Sequence, residues 1–203
     1  MIKETGGSRE IKKGYNQVFL ITDTFEILLN EIKKGTGLNN HSHIHKQFVY
    51  CFQGYFDLII EENKYRLVPG DAMIIDSEAG HSAEAPTDFM SVDFKYISDS
   101  KETFAFRDNV LIEKLNDGKI KLAEADFDGM KFKKITNTLD SARININVDQ
   151  KKKYFLVVPK RTSIKVNNAI REFVPMKIYE AADKGGFSLE FLTGDTEVCL
   201  FEI

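Results

Sequence analysis

Shifted by 106 residues, the chain falls on itself without a gap. "LIIEENKYRLVPGDAMII" from Leu58 lies over "IKVNNAIREFVPMKIYEA" from Ile164. Val68-Pro69 meets Val174-Pro175, Gly80 meets Gly186, Ser82 meets Ser188, and Ile97 meets Ile203. Identity between the halves is low, yet strand-like and turn-like segments stay in phase, the mark of two copies of one unit. The expected units are residues 1–99 and 100–203.

What is repeated is β structure. "VFLIT", "FEILLNEI", "QFVYCF", "YFDLII", "KYRLV", "DAMIID" and "FMSVDFKYI" are short runs enriched in Val, Ile, Phe and Tyr, with turn residues between them. Such a succession predicts an all-β sandwich or barrel. "IIEENKY" reads as a tight hairpin centred near Glu62-Asn63, and "VPGD" as a turn with Pro69 ahead of Gly70. The segment from Asp99 to about Lys131 is less regular; it reads as a linker plus one or two opening strands of the second copy, with room for a short helix.

Composition narrows the partners. A net charge of −3 gives no electrostatic footprint for nucleic acid or an anionic membrane, and the run "KKKY" at Lys151–Tyr154 reads as a solvated turn. No apolar run approaches the ~18 residues of a spanning helix. "MIKETGGSREIKKG" lacks the apolar core of an export signal, and two cysteines make no disulfide framework, so a reducing cytoplasm is expected. Cys51 reads as a small buried apolar residue. The expected partner is a small molecule, the expected state a monomer or homodimer. No Gly-rich phosphate loop or nucleophile elbow is present.

The four histidines are unevenly placed. His41, His43 and His45 alternate within "HSHIHKQ", and His81 follows 36 residues later. In a strand, residues two apart share a face, so a regular strand would put His41, His43, His45 and Gln47 on one side. Imidazole suits zinc, iron, copper, nickel or manganese. Two imidazoles from one strand and His81 from a neighbouring one can converge on a single ion; a set of exposed histidines is the plain alternative.

Here the sequence resembles the cupin superfamily, small β-barrels with two signature motifs. Gly35, five residues, His41-Ser42-His43, three residues, Gln47, six residues and Gly54 fit every interval of the first motif, with Gln for its Glu. Gly70, five residues, Asp76-Ser77-Glu78, two residues, His81, three residues and Ala85 keep the Gly and His of the second, but not its Pro, second Gly and Asn. The resemblance implies two tandem cupin (jelly-roll) barrels, with one divalent transition metal (Zn, Fe, Mn, Ni or Co) held in the first by His41, His43, Gln47 and His81. His45 occupies no motif position and is expected to line the cavity, a candidate catalytic proton carrier. Some cupins with Gln at this place resemble isomerases and lyases of sugar acids or other oxo acids; those with Glu are more often oxygenases. A neutral amide leaves the ion more positive and favours Lewis-acid chemistry.

At the same offset His41 falls on Asn147, His43 on Asp149, Gln47 on Lys153 and His81 on Phe187, so the second barrel is expected to lack a metal and to bury a face that a single cupin uses for dimerisation. The expected function is metal-assisted isomerisation or proton transfer on a small polar metabolite. A metal-dependent dioxygenase and a binding barrel without turnover stand as alternatives. Arg66, Glu84 and Lys95 could pair with a carboxylate or act as acid and base; exposed strand charges explain them equally well, and they are assigned no role.

Overall fold

The structure, a computed structural model, describes residues 2–98, 112–116, 120–127, 130–138, 142–181 and 186–203. It divides into two compact units: Gly6–Val110, and Met1–Thr5 together with Leu111–Ile203. The described residues form strands and turns, with no helix among them.

The first unit holds β2 (Gly7–Lys12), β3 (Tyr15–Ile21), β4 (Phe25–Ile32), β5 (Gly37–His41), β6 (Lys46–Gln53), β7 (Phe56–Ile60), β8 (Asn63–Leu67), β9 (Ala72–Ile75), β10 (His81–Glu84) and β11 (Phe89–Tyr96), β1 (Ile2–Thr5) being part of the second. Two antiparallel sheets result, ordered β2-β3-β4-β11-β6-β9 and β5-β10-β7-β8. The central strands β4, β6 and β11 are apolar over most of their length and buried on both faces, which a near-continuous apolar run predicts. Val49, Cys51, Phe56, Leu58, Leu67, Met73, Ile75 and Phe89 form the apolar core of the unit.

The second unit holds β12 (Ile112–Asn116), β13 (Ile120–Phe127), β14 (Met130–Asn137), β15 (Arg143–Ile146), β16 (Tyr154–Val157), β17 (Thr162–Val166), β18 (Ala169–Phe173), β19 (Ile178–Ala181), β20 (Phe187–Phe191) and β21 (Thr196–Glu202). Its sheets run β1-β19-β16-β21-β14-β13-β12 and β15-β20-β17-β18. Apart from β1, strand for strand this is the order of the first unit. Phe56–Ile60, Asn63–Leu67 and Ala72–Ile75, moved by the 106-residue offset, land on β17, β18 and β19 at both ends. Even a turn conformation repeats: Gly70 has φ +93° and its counterpart Met176 has φ +55°.

Two expectations are corrected. The hairpin after β7 turns at Glu61-Glu62, one residue earlier than predicted, with Ile60 paired to Asn63 and Glu61 at φ +54°. Its counterpart Asn167-Asn168 has both residues at positive φ, as a type I′ turn requires. Residues 2–5, placed in the first unit by the sequence, pair with β19 instead, with Lys3 ion-paired to Glu180. The irregular segment contributes β12 and β13 without a helix among its described residues; residues 99–111 lie outside them.

Candidate metal centre

The histidine run is not one strand. β5 ends at His41, residues 42–45 form a loop, and β6 begins at Lys46. The alternation therefore does not set a common face. What gathers the imidazoles is pairing: β5 and β10 run antiparallel with His41 directly opposite His81. The loop then brings His43 over the same spot, its ring centroid 5.0 Å from that of His81 and 6.0 Å from that of His41. His41 and His81 stand 4.3 Å apart. One ring nitrogen from each of the three lies within 4.8 Å of the others, the group among the described residues able to hold a metal ion.

The loop is tied down from the second motif. The Glu78 N–H donates to the His43 carbonyl at 2.7 Å, and Lys46, 2% exposed, pairs with Asp76 at 3.5 Å. Glu78 stands where the family motif has glycine and keeps the backbone that glycine would supply, with φ +63°. An L-residue there carries about 1–2 kcal/mol of strain. Its side chain is exposed. Glu78→Gly is thus expected to raise stability by about 1 kcal/mol after the entropic cost of glycine, read as a higher denaturation midpoint; a lowered midpoint would show the turn to be unstrained.

The tautomers follow from the backbone. Nδ1 of His41 lies 2.9 Å from the Asn39 carbonyl, Nδ1 of His43 2.8 Å from the His45 carbonyl, and Nδ1 of His81 2.9 Å from the Ala79 carbonyl. A carbonyl oxygen only accepts, so each Nδ1 carries a proton and, in the neutral ring, each Nε2 presents a lone pair. Burial lowers the pKa of His43, and it pushes His81 down to about 4. Both are therefore neutral near pH 7. The Gln47 Oε1, itself an acceptor, sits 2.8 Å from His43 Nε2. Three imidazole lone pairs and an amide oxygen meet with no donor between them. This donor set fits a divalent transition metal.

Behind Gln47 lies a polar network that sequence reading passed over. The Gln47 amide donates to Asp93 at 2.9 Å; Ser91 donates to the other Asp93 oxygen at 2.9 Å; Asn30 donates to Ser91 at 3.1 Å. Burial pushes the Asp93 carboxyl up to about 6, opposed by hydrogen bonds from Ser91, Asn30 and Gln47 and by the charge of Lys95. These groups line a cavity of about 130 Å3 that reaches His41, His81 and Gln47. Lys95 and Glu26, cross-strand partners on β11 and β4, also line it. The signal was present in "SVDFKY": Ser91, Asp93 and Lys95 alternate with Val92, Phe94 and Tyr96, and the polar set faces the cavity rather than solvent.

His45 does not line this cavity among the described residues; its carbonyl seats His43 and its ring lies 6.2 Å from that of His43. Cys51 is fully buried in the core, its thiol pushed up to about 12 by burial and then by Asp71. In the second unit Phe187, at the position of His81, is 4% exposed in the apolar core, with its ring 6.4 Å from that of Tyr154. Asn147, Asp149 and Lys153 are exposed.

Residues 28–94, which include all three clustered histidines and Gln47, match the family described as the cupin domain. No curated protein matches the chain in sequence. In structure it is similar to the bacterial pirin YhhW from Escherichia coli in complex with nickel(II), with a TM-score of 0.76 and 15% identity over 100% of this chain and 99% of that one. It is likewise similar to AerE from Microcystis aeruginosa (TM-score 0.73, 12% identity, 98% and 96% of the two chains). A third likeness is to quercetin 2,3-dioxygenase from Acinetobacter baumannii (TM-score 0.74, 14% identity, 99% of this chain and 78% of that one). At these identities the structural likeness is one of fold. Residues 28–94, the histidine-bearing segment, are thus similar to the cupin domain, and the chain has the all-β fold of these solved structures.

Proposed function

We propose that the first barrel holds one divalent transition metal through His41, His43, His81 and Gln47. Its chemistry would be isomerisation or a related proton transfer on a small oxo acid or short sugar acid. The observation that carries this reading is the acceptor-only convergence of three imidazole nitrogens and one amide oxygen. A divalent ion bound there supplies a Lewis acid that polarises a substrate carbonyl.

The cavity favours a small acid. About 130 Å3 is close to the ~150 Å3 that accommodates benzene, so the occupant has on the order of six heavy atoms. A polyphenol does not fit that volume. Lys95 is half-buried on the cavity wall, and among the described residues no carboxylate lies within ion-pair distance of its ammonium. Burial lowers its pKa, with Asp93 and Glu26 opposing. In this reading Lys95 receives the substrate carboxylate, and Glu26 across the sheet is placed to exchange a proton. His45 holds His43 in place through its carbonyl.

The test is carried out in deuterium oxide. Protein loaded in turn with Mn, Fe, Co, Ni and Zn is incubated with three- and four-carbon 2-oxo acids, and NMR follows deuterium entering beside the carbonyl. Loaded protein is expected to exchange these positions faster than metal-free protein. Lys95→Met is expected to raise the acid's KM tenfold or more. Oxygen uptake without exchange would replace this reading with a dioxygenase, and ligand retention without exchange or uptake would replace it with a binding barrel.

A further inference from the structure

The amide of Gln47 has two ends, and only the oxygen can bind a cation. Which end faces the histidines is set by hydrogen bonding, and here that bonding has a direction. Arg9, whose guanidinium only donates, gives both Nε and a terminal nitrogen to the Gln17 oxygen. The Gln17 nitrogen is left to donate to the Asn30 oxygen at 2.8 Å, which also accepts from the Tyr15 hydroxyl at 2.9 Å. The Asn30 nitrogen must then donate to Ser91, and Ser91 to Asp93. Gln17, Asn30 and Ser91 are each no more than 4% exposed, so water does not reset these choices. Asp93, 7% exposed, is the acceptor at which the chain ends. Its second oxygen, 2.9 Å from Gln47, accepts the Gln47 NH2 and turns the amide oxygen toward His43.

We propose that Asp93 is a positioning residue of the metal centre. Its carboxylate fixes Gln47 with the oxygen facing the ion and supplies, from behind the amide, the negative charge that a glutamate ligand would supply directly. The charge is transposed one residue outward, not lost. A carboxylate accepting from the NH2 also polarises the amide and makes its oxygen a stronger ligand, as partners behind a metal ligand do. This inference rests on the metal-centre reading above.

The test is a swap. Cobalt(II) is titrated into wild-type protein, Asp93→Asn, Gln47→Glu and the double variant, with affinity read by calorimetry and coordination by the visible absorption of the bound ion. In Asp93→Asn the new amide can donate to Gln47 Oε1 and turn that amide over, so affinity is expected to fall about 10- to 100-fold, with a changed cobalt spectrum. In the double variant the amide introduced at position 93 donates to the carboxylate introduced at position 47, which again faces the ion, and affinity is expected to return to within about threefold of wild type. Asp93→Asn binding cobalt like wild type overturns the inference. So does a double variant as weak as the single one, since that would mark a merely structural role. Wild-type protein that binds no cobalt overturns the metal-centre reading and this inference with it. Should Asp93→Asn not fold, zinc addition to wild-type protein decides. The Gln47 side-chain carbonyl carbon is expected to shift in NMR while its NH2 protons stay protected from exchange, and an unshifted carbon overturns the inference.

Discussion

His81→Ala is expected to weaken transition-metal binding by at least about a hundredfold, since removing a direct ligand should cost no less than removing a partner behind one. His81 is 4% exposed and stands opposite His41 in the strand ladder, so a solvent water does not simply take its place. The cleanest reading is thermal. An ion that binds the folded protein at a hundred times its Kd adds about 2.7 kcal/mol to stability, a rise of several degrees in Tm for wild type, against about 0.4 kcal/mol or less for a variant that binds a hundredfold more weakly. Equal metal-induced shifts in both proteins would remove His81 from the centre. Metal-free protein supplies a control of known sign. Its buried His81 titrates at about 4 in the folded state against 6.5 in the unfolded chain. The unfolded state therefore binds the extra proton between those values, and stability falls as pH drops through that window. The alanine variant should lose that part of the acid sensitivity.

Gly54→Ala is expected to cost about 3 kcal/mol or more. Gly54 has φ +78°, and a Cβ built on it would lie 1.9 Å from the Asp88 carbonyl oxygen and 2.8 Å from the Thr87 hydroxyl. The nearer obstacle is backbone, and that backbone is held: the Tyr55 N–H donates to Thr87 at 2.8 Å, and Asp88 accepts from the Lys34 N–H at 2.9 Å. Left-handed strain and collision therefore add. Gly35, the opening glycine of the same motif, has the same φ of +78° but nothing within 4 Å. Gly35→Ala should cost only the strain, about 1–2 kcal/mol. Because the chain has no tryptophan, unfolding is best followed by far-UV circular dichroism. Equal losses in the two variants would show that strain alone, and not the contact with Asp88, fixes Gly54.

The duplication and the apolar strands were legible because their signals are local: "FEILLNEI" is β4 to the residue. β5 (GLNNH) and β10 (HSAE) were not, for they are polar and are strands only because neighbours pair with them. The gathering of His41, His43 and His81 was legible for a partly mistaken reason. Alternation pointed to a shared strand face, whereas His43 reaches the cluster from a loop anchored by Glu78 and His45. Asp93 and Ser91 escaped notice, and Lys95 was given no role, because polar residues within an apolar strand read first as its wet side. Only the packing reveals that the inner side of this barrel is polar near the histidines and apolar farther along.

The pairing of residues 2–5 with β19 bears on how the sheet edge of the second unit is covered. A fragment starting after Thr5 would leave the outer margin of β19 as a row of unsatisfied amides and carbonyls, a template for strands of another molecule. In the whole chain that margin is capped by four residues, two of them exposed charges, Lys3 and Glu4, bonded to Glu180 and Lys177. The cover of this sheet edge thus comes from a segment that lies far from β19 in the sequence but in the same compact unit.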